Sequence, residues 1–399
     1  MLTLDNCGEV SGKTVFVRVD LNCPVDKKTN SLENSPRIAA HAETVRELAS
    51  KGAKVVVLSH QGRKGDPDCI SLAQHAKLLE SECHLPVQFV PDVAGRRAQD
   101  AIKKLQSGSI LLLENVRFLE DETKFKTKEE YEKSILVSSL SQFCDLFVLD
   151  GFSTSHRAQA SVVGFYKKPC AAGRVIQREL LALDKAASPK KPLIFVFGGA
   201  KPDDSIGILE KWLSEGKVDK ALLSGVIGSL FLHASGVELG RTMEYLSHDK
   251  ALDCLPKAKE LLAKYPEKIV FPSDVAVDSH GTRQELLARE LPSPYRIMDI
   301  GSGTIETYAQ ILSSAKTIII NGPAGVYERE EFSVGTEAIL SAIENSKAFS
   351  LVGGGHTLSA IEKFGIDKSK FGYISLAGKA LISYLSGEKL AGVEMLRGK

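Results

Sequence analysis

Short apolar runs alternate with longer segments of helical periodicity along the whole chain. In the first half, these runs predict strands near 14–19, 54–58, 87–90, 109–113 and 145–149. Between them, segments such as 37–52 and 71–82 carry apolar residues every three to four positions, which is typical of amphipathic helices. Alternation of strands and helices predicts a parallel sheet that is covered by helices on both faces.

The second half repeats this plan, with runs near 193–197, 220–224, 268–271, 296–300, 317–320 and 348–352. We therefore predict an α/β fold of two Rossmann-like, three-layer domains, each binding its ligand at the carboxyl ends of the strands. A single helix within 173–192, beginning near Gly173 and ending at Ser188, joins the halves as a candidate hinge. The alternative is an ordinary crossover helix in one large domain.

Several apolar runs of the first half end in a cation, most often arginine. The segments 16–22, 35–41, 56–63, 111–118 and 153–161 supply Arg37, His60, Arg63, Arg117 and Arg157. Because the carboxyl ends of parallel strands share one edge of a sheet, these side chains should line one concave surface. Guanidinium groups match phosphate and carboxylate oxygens, so the pattern predicts a site for a small, highly anionic substrate.

Glycine-rich turns follow the apolar runs of the second half, at 197–205, 223–229, 299–304, 320–328 and 351–357. Glycine lets the backbone approach a ligand, and a following helix offers N–H groups and the positive end of its dipole. One such turn often serves packing alone. Five of them in one domain predict a phosphate-binding surface.

Charge and cysteine content exclude several classes of protein. The net charge is +1, with no long block of like charge, which gives no support for nucleic-acid or membrane binding. Seven cysteines without a CxxC pair predict free thiols in a reducing compartment, and we expect a cytoplasmic protein. The N-terminus lacks a signal-peptide pattern, and no apolar run approaches the length that spans a membrane.

Three common catalytic motifs are missing from the sequence. The absence of GxxxxGK[ST] disfavours a P-loop enzyme, and that of GxSxG an α/β-hydrolase. The first strand–turn–helix of either half also lacks GxGxxG, which disfavours a dinucleotide dehydrogenase. An arginine-lined pocket and a phosphate-binding glycine surface suit phosphoryl transfer between a nucleotide and an acidic metabolite, with domain closure to expel water.

Ordered motifs along essentially the whole chain resemble those of the phosphoglycerate kinase family. They read RVDLNCP (18–24), SHQGR (59–63), LLENVRF (112–118), DGFSTSHRAQASVVG (150–164), GGAKPDDS (198–205), DIGSGT (299–304), NGPAGVYE (321–328) and GGGHT (353–357). GGAKPDDS and GGGHT are most similar to the archaeal branch of that family.

The resemblance implies reversible transfer of the γ-phosphoryl group of ATP to the carboxylate of 3-phosphoglycerate, in glycolysis and gluconeogenesis. The products are 1,3-bisphosphoglycerate and ADP, and no covalent intermediate is expected. Residues 1–170 would bind phosphoglycerate, 171–189 would form the interdomain helix and 190–380 would bind the nucleotide. Residues 381–399 would pack back on the N-terminal domain. The expected state is a monomer, with a homodimer as the alternative.

The same resemblance implies roles for single residues. The 3-phosphate would be held by Asn22, His60, Arg63, Arg117 and Arg157. Asp20 would accept a hydrogen bond from the 2-hydroxyl group, and Arg37 would stabilise charge on the transferring phosphoryl group.

In the nucleotide domain, Lys201 would be catalytic beside Arg37 by contacting the phosphates, and Glu328 would bind the ribose. The rest of the implied nucleotide site comprises Gly198, Gly199, Asn321, Pro323, Gly353, Gly354, Gly355, His356 and Thr357. The apolar turn 224–228 would lie near the adenine.

Three positions depart from the common family pattern. Ser205 replaces a second lysine, His356 replaces a magnesium-associated aspartate, and Lys379 stands in a stretch that is normally glycine. Since magnesium favours oxygen ligands, we expect ATP oxygens and water to hold it, with Asp204 nearby and no side chain assigned as a ligand. Our hypothesis is that Lys379 supplies the phosphate-directed charge that is lost at Ser205. A surface lysine without such a role is the alternative.

Structural roles remain open for several of these residues. Asp20 could cap a turn, His60 could be structural, Glu328 could begin a solvated helix, and Arg117 could be a solvated side chain beside Glu114. The role of Arg18 is left open. Rival functions are a kinase for another small phospho-acid and a non-catalytic paralogue that binds the metabolite.

Overall fold

In the computed structural model, residues 1–26, 29, 31, 32, 35–248 and 250–398 are described. The chain divides into two compact units. Unit 1 comprises Met1–Leu181 and Glu388–Lys399, and unit 2 comprises Ala182–Gly387.

The described part of unit 1 contains a seven-stranded parallel sheet. Its strands are β1 (Leu2–Thr3), β2 (Thr14–Arg18), β3 (Lys54–Leu58), β4 (Val87–Val90), β5 (Ile110–Leu113), β6 (Leu146–Leu149) and β7 (Cys170–Ala172). They lie in the order β1-β7-β6-β2-β3-β5-β4. Because β4 lies at the edge of the sheet, β3 and β5 are neighbours. The strands that precede His60, Arg63 and Arg117 therefore lie side by side.

Unit 2 contains a six-stranded parallel sheet and a separate antiparallel sheet within the described residues. The strands are β8 (Leu193–Phe197), β9 (Lys220–Leu223), β10 (Ile269–Val270), β11 (Asp274–Ser279), β12 (Thr282–Leu287), β13 (Ile297–Ile300), β14 (Thr317–Asn321), β15 (Phe349–Gly353) and β16 (Tyr373–Ile374). The parallel sheet has the order β10-β9-β8-β14-β15-β16, and the antiparallel sheet has the order β12-β11-β13.

The antiparallel sheet corrects one prediction. The run 296–300 was expected to repeat the parallel plan, but as β13 it pairs antiparallel with β11. The other neighbour of β11 is β12, which is largely exposed and reads TRQELL, so no apolar run reveals this strand in the sequence. The tight turn between β11 and β12 has positive φ at His280 (53°) and at Gly281 (87°).

The described part of the chain contains sixteen α-helices, of which the last two follow the final strand. They are α1 (Pro36–Ser50), α2 (Ala73–Cys83), α3 (Arg96–Lys104), α4 (Lys128–Tyr131), α5 (Ile135–Leu140), α6 (Ala160–Val163), α7 (Arg174–Ala187), α8 (Pro202–Ser214), α9 (Gly225–Ala234), α10 (Thr242–His248), α11 (Leu255–Lys264), α12 (Ser302–Ser313), α13 (Val334–Glu344), α14 (Gly355–Lys363), α15 (Lys379–Leu385) and α16 (Ala391–Leu396). The division between the units falls within α7.

Helices cover both faces of the parallel sheets, and β2 shows how the sequence achieves this. Val15 and Val17 point into the core beneath α1 and α2. Those helices contribute Val45 and Leu79 to the same core. Phe16 points to the opposite face, where its ring lies 5.5 Å from that of Phe165. A strand that is buried on both faces needs a continuous apolar run, which explains why these strands were easy to predict.

Helix α16 lies in unit 1, although it follows the whole of unit 2 in the chain. The amide of Gly392 donates to the carbonyl of Ser155 over 2.8 Å. A Cβ atom at Gly392 would lie 2.7 Å from Leu149 Cδ2, so only glycine permits this close approach.

Candidate active site

Four neighbouring strands of unit 1 deliver polar residues to one edge of the sheet. The strands β6, β2, β3 and β5 are adjacent and parallel. The segments that follow them carry Asp20, His60, Arg117 and Ser153. This edge is where ligands bind in open parallel sheets.

Asp20 is buried at this edge, with 2% of its surface exposed. Its Oδ2 accepts a hydrogen bond from Arg37 Nη1 over 2.8 Å and another from the Ser153 hydroxyl. Burial is the largest single influence and would raise the pKa of Asp20, but the Arg37 guanidinium, the Ser153 hydroxyl and other neighbouring groups together outweigh it and hold that pKa well below its usual range. Asp20 also accepts from the amide of Asn22 over 3.2 Å, so it caps a local turn and anchors Arg37 at once.

Asn22 and Gly62 tie the segment after β2 to the segment after β3. Asn22 Oδ1 accepts from the Gly62 amide over 2.8 Å. Gly62 has φ +67°, and a Cβ atom there would lie 2.5 Å from the backbone of Asp68. Only glycine therefore fits this turn, which immediately precedes the exposed Arg63.

Asn115 is a positioning residue that the sequence analysis missed. It is fully buried, and its Oδ1 accepts from the amides of Gln61 (3.3 Å) and Arg117 (3.0 Å). Its side-chain amide donates to the carbonyls of Gln61 (2.8 Å) and Ile70 (2.9 Å). The only sign of this role in the sequence is the motif LLENVRF, where an asparagine stands two residues after a buried strand and its side chain is expected to form hydrogen bonds.

The other arginines of this edge repel Arg157. Burial lowers the pKa of Arg157, and the charges of Arg117 and Arg63 lower it further. Arg117 is only 7% exposed, and its Nε is buried without a hydrogen-bond partner among the described residues. It is therefore not a solvated side chain, and the neighbouring Glu114 accepts instead from Ser71 Oγ over 2.7 Å. Like charges at close range favour a bound anion.

His60 lies in the same cluster and is 6% exposed. Burial lowers its pKa to about 3, against the opposing influence of Asp20. The imidazole is accordingly neutral near pH 7. We call His60, Arg63, Arg117 and Arg157 the basic cluster.

In unit 2, the glycine-containing turns that follow β8 and β14 have backbones in contact. The Gly199 amide donates to the Pro323 carbonyl over 2.7 Å, and the Gly198 amide donates to the Asn321 carbonyl over 2.9 Å. Gly322 has φ +92°, and a Cβ atom there would lie 2.5 Å from the Gly198 carbonyl carbon. Lys201 lies two residues after Gly199, at the beginning of α8, and its side chain is exposed.

A cleft with an empty volume of about 890 Å³, open solvent included, lies above these glycine turns. Its walls include Gly199, Gly225, Val226, Pro323, Glu328 and His356, together with apolar side chains such as Met298 and Val326. Glu328 Oε1 lies 3.6 Å from His356 Nδ1 at the mouth of the cleft. The segment 224–228, predicted to be a turn, forms the beginning of α9, and with Glu328 and His356 it borders one cavity of a size that suits a nucleotide.

Thr357 and Ser205 lie near the same turns without presenting their hydroxyl groups to the cleft. Thr357 is fully buried, and its Oγ1 accepts from the Gly322 amide over 3.0 Å. Ser205 is 2% exposed, and its hydroxyl donates to the Lys201 carbonyl over 3.4 Å. Ser205 therefore replaces a family lysine with a group that bonds to its own helix.

The far wall of the cleft contains two residues that the sequence analysis missed. The Arg296 guanidinium lies 3.5 Å from the centre of the Tyr245 ring, and both side chains line the cavity. Arg296 Nε is buried without a hydrogen-bond partner among the described residues. No sequence motif marks this pair, because the two residues lie on separate elements.

The carboxylate of Asp299, which lines the cleft, is engaged in hydrogen bonds within the protein. Asp299 accepts from Arg283 (2.9 Å) and from the Gly335 amide (2.8 Å), and burial raises its pKa to about 6. Among the described residues, no group of three or more His, Cys, Asp and Glu side chains could hold a metal ion. The Asp204 side chain, expected near magnesium, lies outside what the structure describes.

No helix in the described ranges combines the length and apolar character needed to cross a bilayer.

Comparison with known proteins shows to which family this chain belongs. A family model described as phosphoglycerate kinase matches residues 4–388. A phosphoglycerate kinase of Methanothermobacter thermautotrophicus is 42% identical over 397 residues, which cover 99% of this chain and 96% of that relative. One of Thermoplasma acidophilum is 41% identical over 402 residues, covering 99% of this chain and 97% of the relative.

Solved structures agree with the sequence comparison. Phosphoglycerate kinase from Pyrococcus horikoshii OT3 has a TM-score of 0.93 and 39% identity, covering 100% of this chain and 99% of that one. The enzyme from Coxiella burnetii has a TM-score of 0.82 and 33% identity, with 100% of both chains covered. The expected resemblance is confirmed, and this chain belongs to the phosphoglycerate kinase family.

Proposed function

We propose that the basic cluster of unit 1 binds the phosphate group of 3-phosphoglycerate, in the reversible phosphotransfer that family membership assigns to this chain. The observation that carries this proposal is that Arg63 and Arg117 lie near enough to the half-buried Arg157 for their charges to lower its pKa and repel it. A phosphate dianion would relieve that repulsion, and guanidinium groups would hold its oxygens by charge-assisted hydrogen bonds. Asn22 and His60 would complete the site as neutral donors.

Arg37 and Asp20 would act at the other end of the substrate. Their 2.8 Å contact holds Arg37 in one orientation, since Asp20 is itself fixed by Ser153 and Asn22. The ionised Asp20 would accept a hydrogen bond from the 2-hydroxyl group. Arg37 would neutralise charge that develops on the transferring phosphoryl group, which is the main task of a protein in this chemistry.

The cleft of unit 2 would bind ATP or ADP. Its apolar walls would enclose the base, Glu328 would accept hydrogen bonds from the ribose, and Lys201 would contact the phosphates. Backbone amides of the turns at 198–199, 321–323 and 353–357 would approach the phosphate oxygens closely, because glycine removes the side chains that would obstruct them. Closure of the two domains remains a prediction from the sequence.

Magnesium would enter this site together with ATP. His356 stands where other branches of the family carry an aspartate, and a neutral imidazole is a poor magnesium ligand. Nucleotide oxygens and water would therefore supply the ligands, and no side chain is assigned to the ion.

We further propose that Lys379 lies beside the nucleotide phosphates and compensates for Ser205. Strand β16, which precedes Lys379, is parallel to β15 and adjacent to it, so the segments that follow them share an edge. Leu381, two residues after Lys379, packs so tightly on Gly353 that a Cβ atom there would lie 2.3 Å from its Cδ2. Lys379→Ala should weaken ATP binding without changing the KM for 3-phosphoglycerate, whereas wild-type kinetics would overturn this role.

A coupled assay tests the proposed function directly. Purified protein is given 3-phosphoglycerate, ATP and magnesium, and acyl-phosphate formation is followed through a coupled dehydrogenase. Arg117→Ala should raise the KM for 3-phosphoglycerate by about 10-fold or more and leave the KM for ATP unchanged. Arg178→Ala is the matched control, because Arg178 pairs with Glu43 at the surface of unit 1. Equal effects of both variants would refute the phosphate site.

We also propose a cytoplasmic monomer as the working form. The free state of all seven cysteines in the structure supports a reducing compartment. Sedimentation of the purified protein and fractionation of the source cells test the two parts of this proposal.

A further inference from the structure

Arg18, the last residue of β2, is fully buried directly behind the basic cluster. Its Nε donates to Ser161 Oγ over 2.8 Å, and its Nη1 donates to the Val19 carbonyl. Its Nη2 lies 3.2 Å from His60 Nδ1. Three nitrogens of one guanidinium group thus contact three different parts of unit 1.

The contact with His60 determines which imidazole nitrogen carries the proton. An arginine guanidinium only donates hydrogen bonds and stays protonated in proteins. His60 Nδ1 must therefore accept, and a neutral imidazole with an accepting Nδ1 carries its proton on Nε2. The second nitrogen becomes a donor.

The competing arrangement would protonate Nδ1 and aim it at Asp20. His60 Nδ1 lies 3.7 Å from Asp20 Oδ1, which is beyond hydrogen-bond range. A proton on Nδ1 would also face the Arg18 donor at 3.2 Å, so two donors would repel each other. Distance and charge both favour the Nε2–H form.

Arg18 is itself held from behind by a buried carboxylate. Glu122 is 1% exposed, and it accepts from the Ser161 hydroxyl over 2.6 Å and from the Ser161 amide over 3.0 Å. Ser161 in turn accepts from Arg18, so a chain of hydrogen bonds runs from Glu122 to His60. The negative charge of Glu122 also favours the charged form of Arg18.

We propose that Arg18 is a positioning residue for the acceptor substrate, which fixes His60 as the Nε2–H tautomer and so gives the phosphate site a neutral donor among its arginines. The proposal rests on the proposed role of His60 in phosphate binding. Arg18 does not need to touch the substrate, since its effect passes through the imidazole.

The first test is spectroscopic and needs no variant. Protein labelled with 15N-histidine is examined at pH 7.5 by long-range proton–nitrogen correlation, and His60→Gln identifies the His60 signals. We expect the pattern of a neutral Nε2–H imidazole in the absence of substrate. An Nδ1–H or doubly protonated His60 overturns the proposal.

The second test changes the donor. Arg18→Lys keeps the positive charge, but a single ammonium nitrogen cannot bond to Ser161, Val19 and His60 together. We expect a mixture of tautomers, a rise of about 10-fold in the KM for 3-phosphoglycerate, and an unchanged KM for ATP. Arg174→Lys is the matched control, because Arg174 pairs with Glu47 and Asp5 elsewhere in unit 1.

The outcomes separate this proposal from the function on which it rests. An unchanged tautomer, or an unchanged KM for 3-phosphoglycerate, in folded Arg18→Lys overturns the role of Arg18. If His60→Gln leaves the KM for 3-phosphoglycerate unchanged, the phosphate-binding role of His60 fails instead, whatever its tautomer. If Arg18→Lys does not fold, the wild-type spectrum decides the matter alone.

Discussion

Replacing Glu122 by glutamine should change how the stability of unit 1 depends on pH. Glu122 is buried beside Arg18, and burial raises its pKa from an ordinary 4.5 to about 7. The folded protein therefore holds this proton more tightly than the unfolded chain does. Stability from Glu122 is fully present below pH 4.5, and it is lost as the pH rises through 7.

The magnitude follows from the two pKa values. A difference between 4.5 and about 7 corresponds to about 3 kcal/mol in the free energy of unfolding. Glutamine has a similar shape and does not titrate, so any constant cost of the substitution is the same at every pH. Relative to the wild type, the Glu122→Gln protein should gain about 3 kcal/mol between pH 4.5 and pH 7.5.

Hydrogen exchange of the buried amides in β2 and β6 measures this difference. The only tryptophan, Trp212, lies in unit 2, so tryptophan fluorescence would not report on unit 1. At each pH, the ratio of wild-type to variant exchange rates cancels the intrinsic chemical rate. That ratio should rise on the order of 100-fold between pH 4.5 and pH 7.5. A ratio that stays constant with pH would refute the raised pKa of Glu122.

Three further predictions concern single side chains. Arg37→Ala should lower kcat by about 100-fold and barely change ATP binding, because Arg37 is assigned to charge on the transferring group; equal losses in both would contradict that role. Gly62→Ala should lower the free energy of unfolding of unit 1 by about 2 kcal/mol, because the φ of +67° and the nearby backbone of Asp68 both oppose a side chain. Urea unfolding of unit 1 measures this loss, and an unchanged midpoint would argue against the turn. Arg296→Ala should raise the KM for ATP and leave the KM for 3-phosphoglycerate unchanged, because Arg296 with Tyr245 forms one wall of the cleft. A change in the KM for 3-phosphoglycerate alone would exclude this wall from nucleotide binding.

The sequence sufficed to predict the strands that are buried on both faces. Continuous apolar runs gave β2 and β3 with nearly their observed bounds, and β8 and β14 likewise. Strand β12 could not be predicted this way, because its side chains are mostly exposed and polar. Whether such a polar segment forms a strand depends more on the strand with which it pairs than on its own pattern of apolar residues.

In the candidate site, too, features set by local sequence could be predicted, and features set by contacts between distant residues could not. That the cations gather at one edge could be predicted from parallel strands alone. The network of Arg18, Ser161 and Glu122 could not, since Arg18 and Ser161 are 143 positions apart and a charged residue in a strand usually faces water. Only the fold shows that Arg18 is buried and therefore needs partners.

The discontinuity of unit 1 has a consequence for biosynthesis. A ribosome releases the strands of unit 1 first, but α16 packs against β7 and α6 and appears only after all of unit 2 has been made. Until then, the surface that receives Gly392 at Ser155 stays uncovered, and the nascent chain must keep it from aggregating. The unit whose translation begins first is the last to be completed.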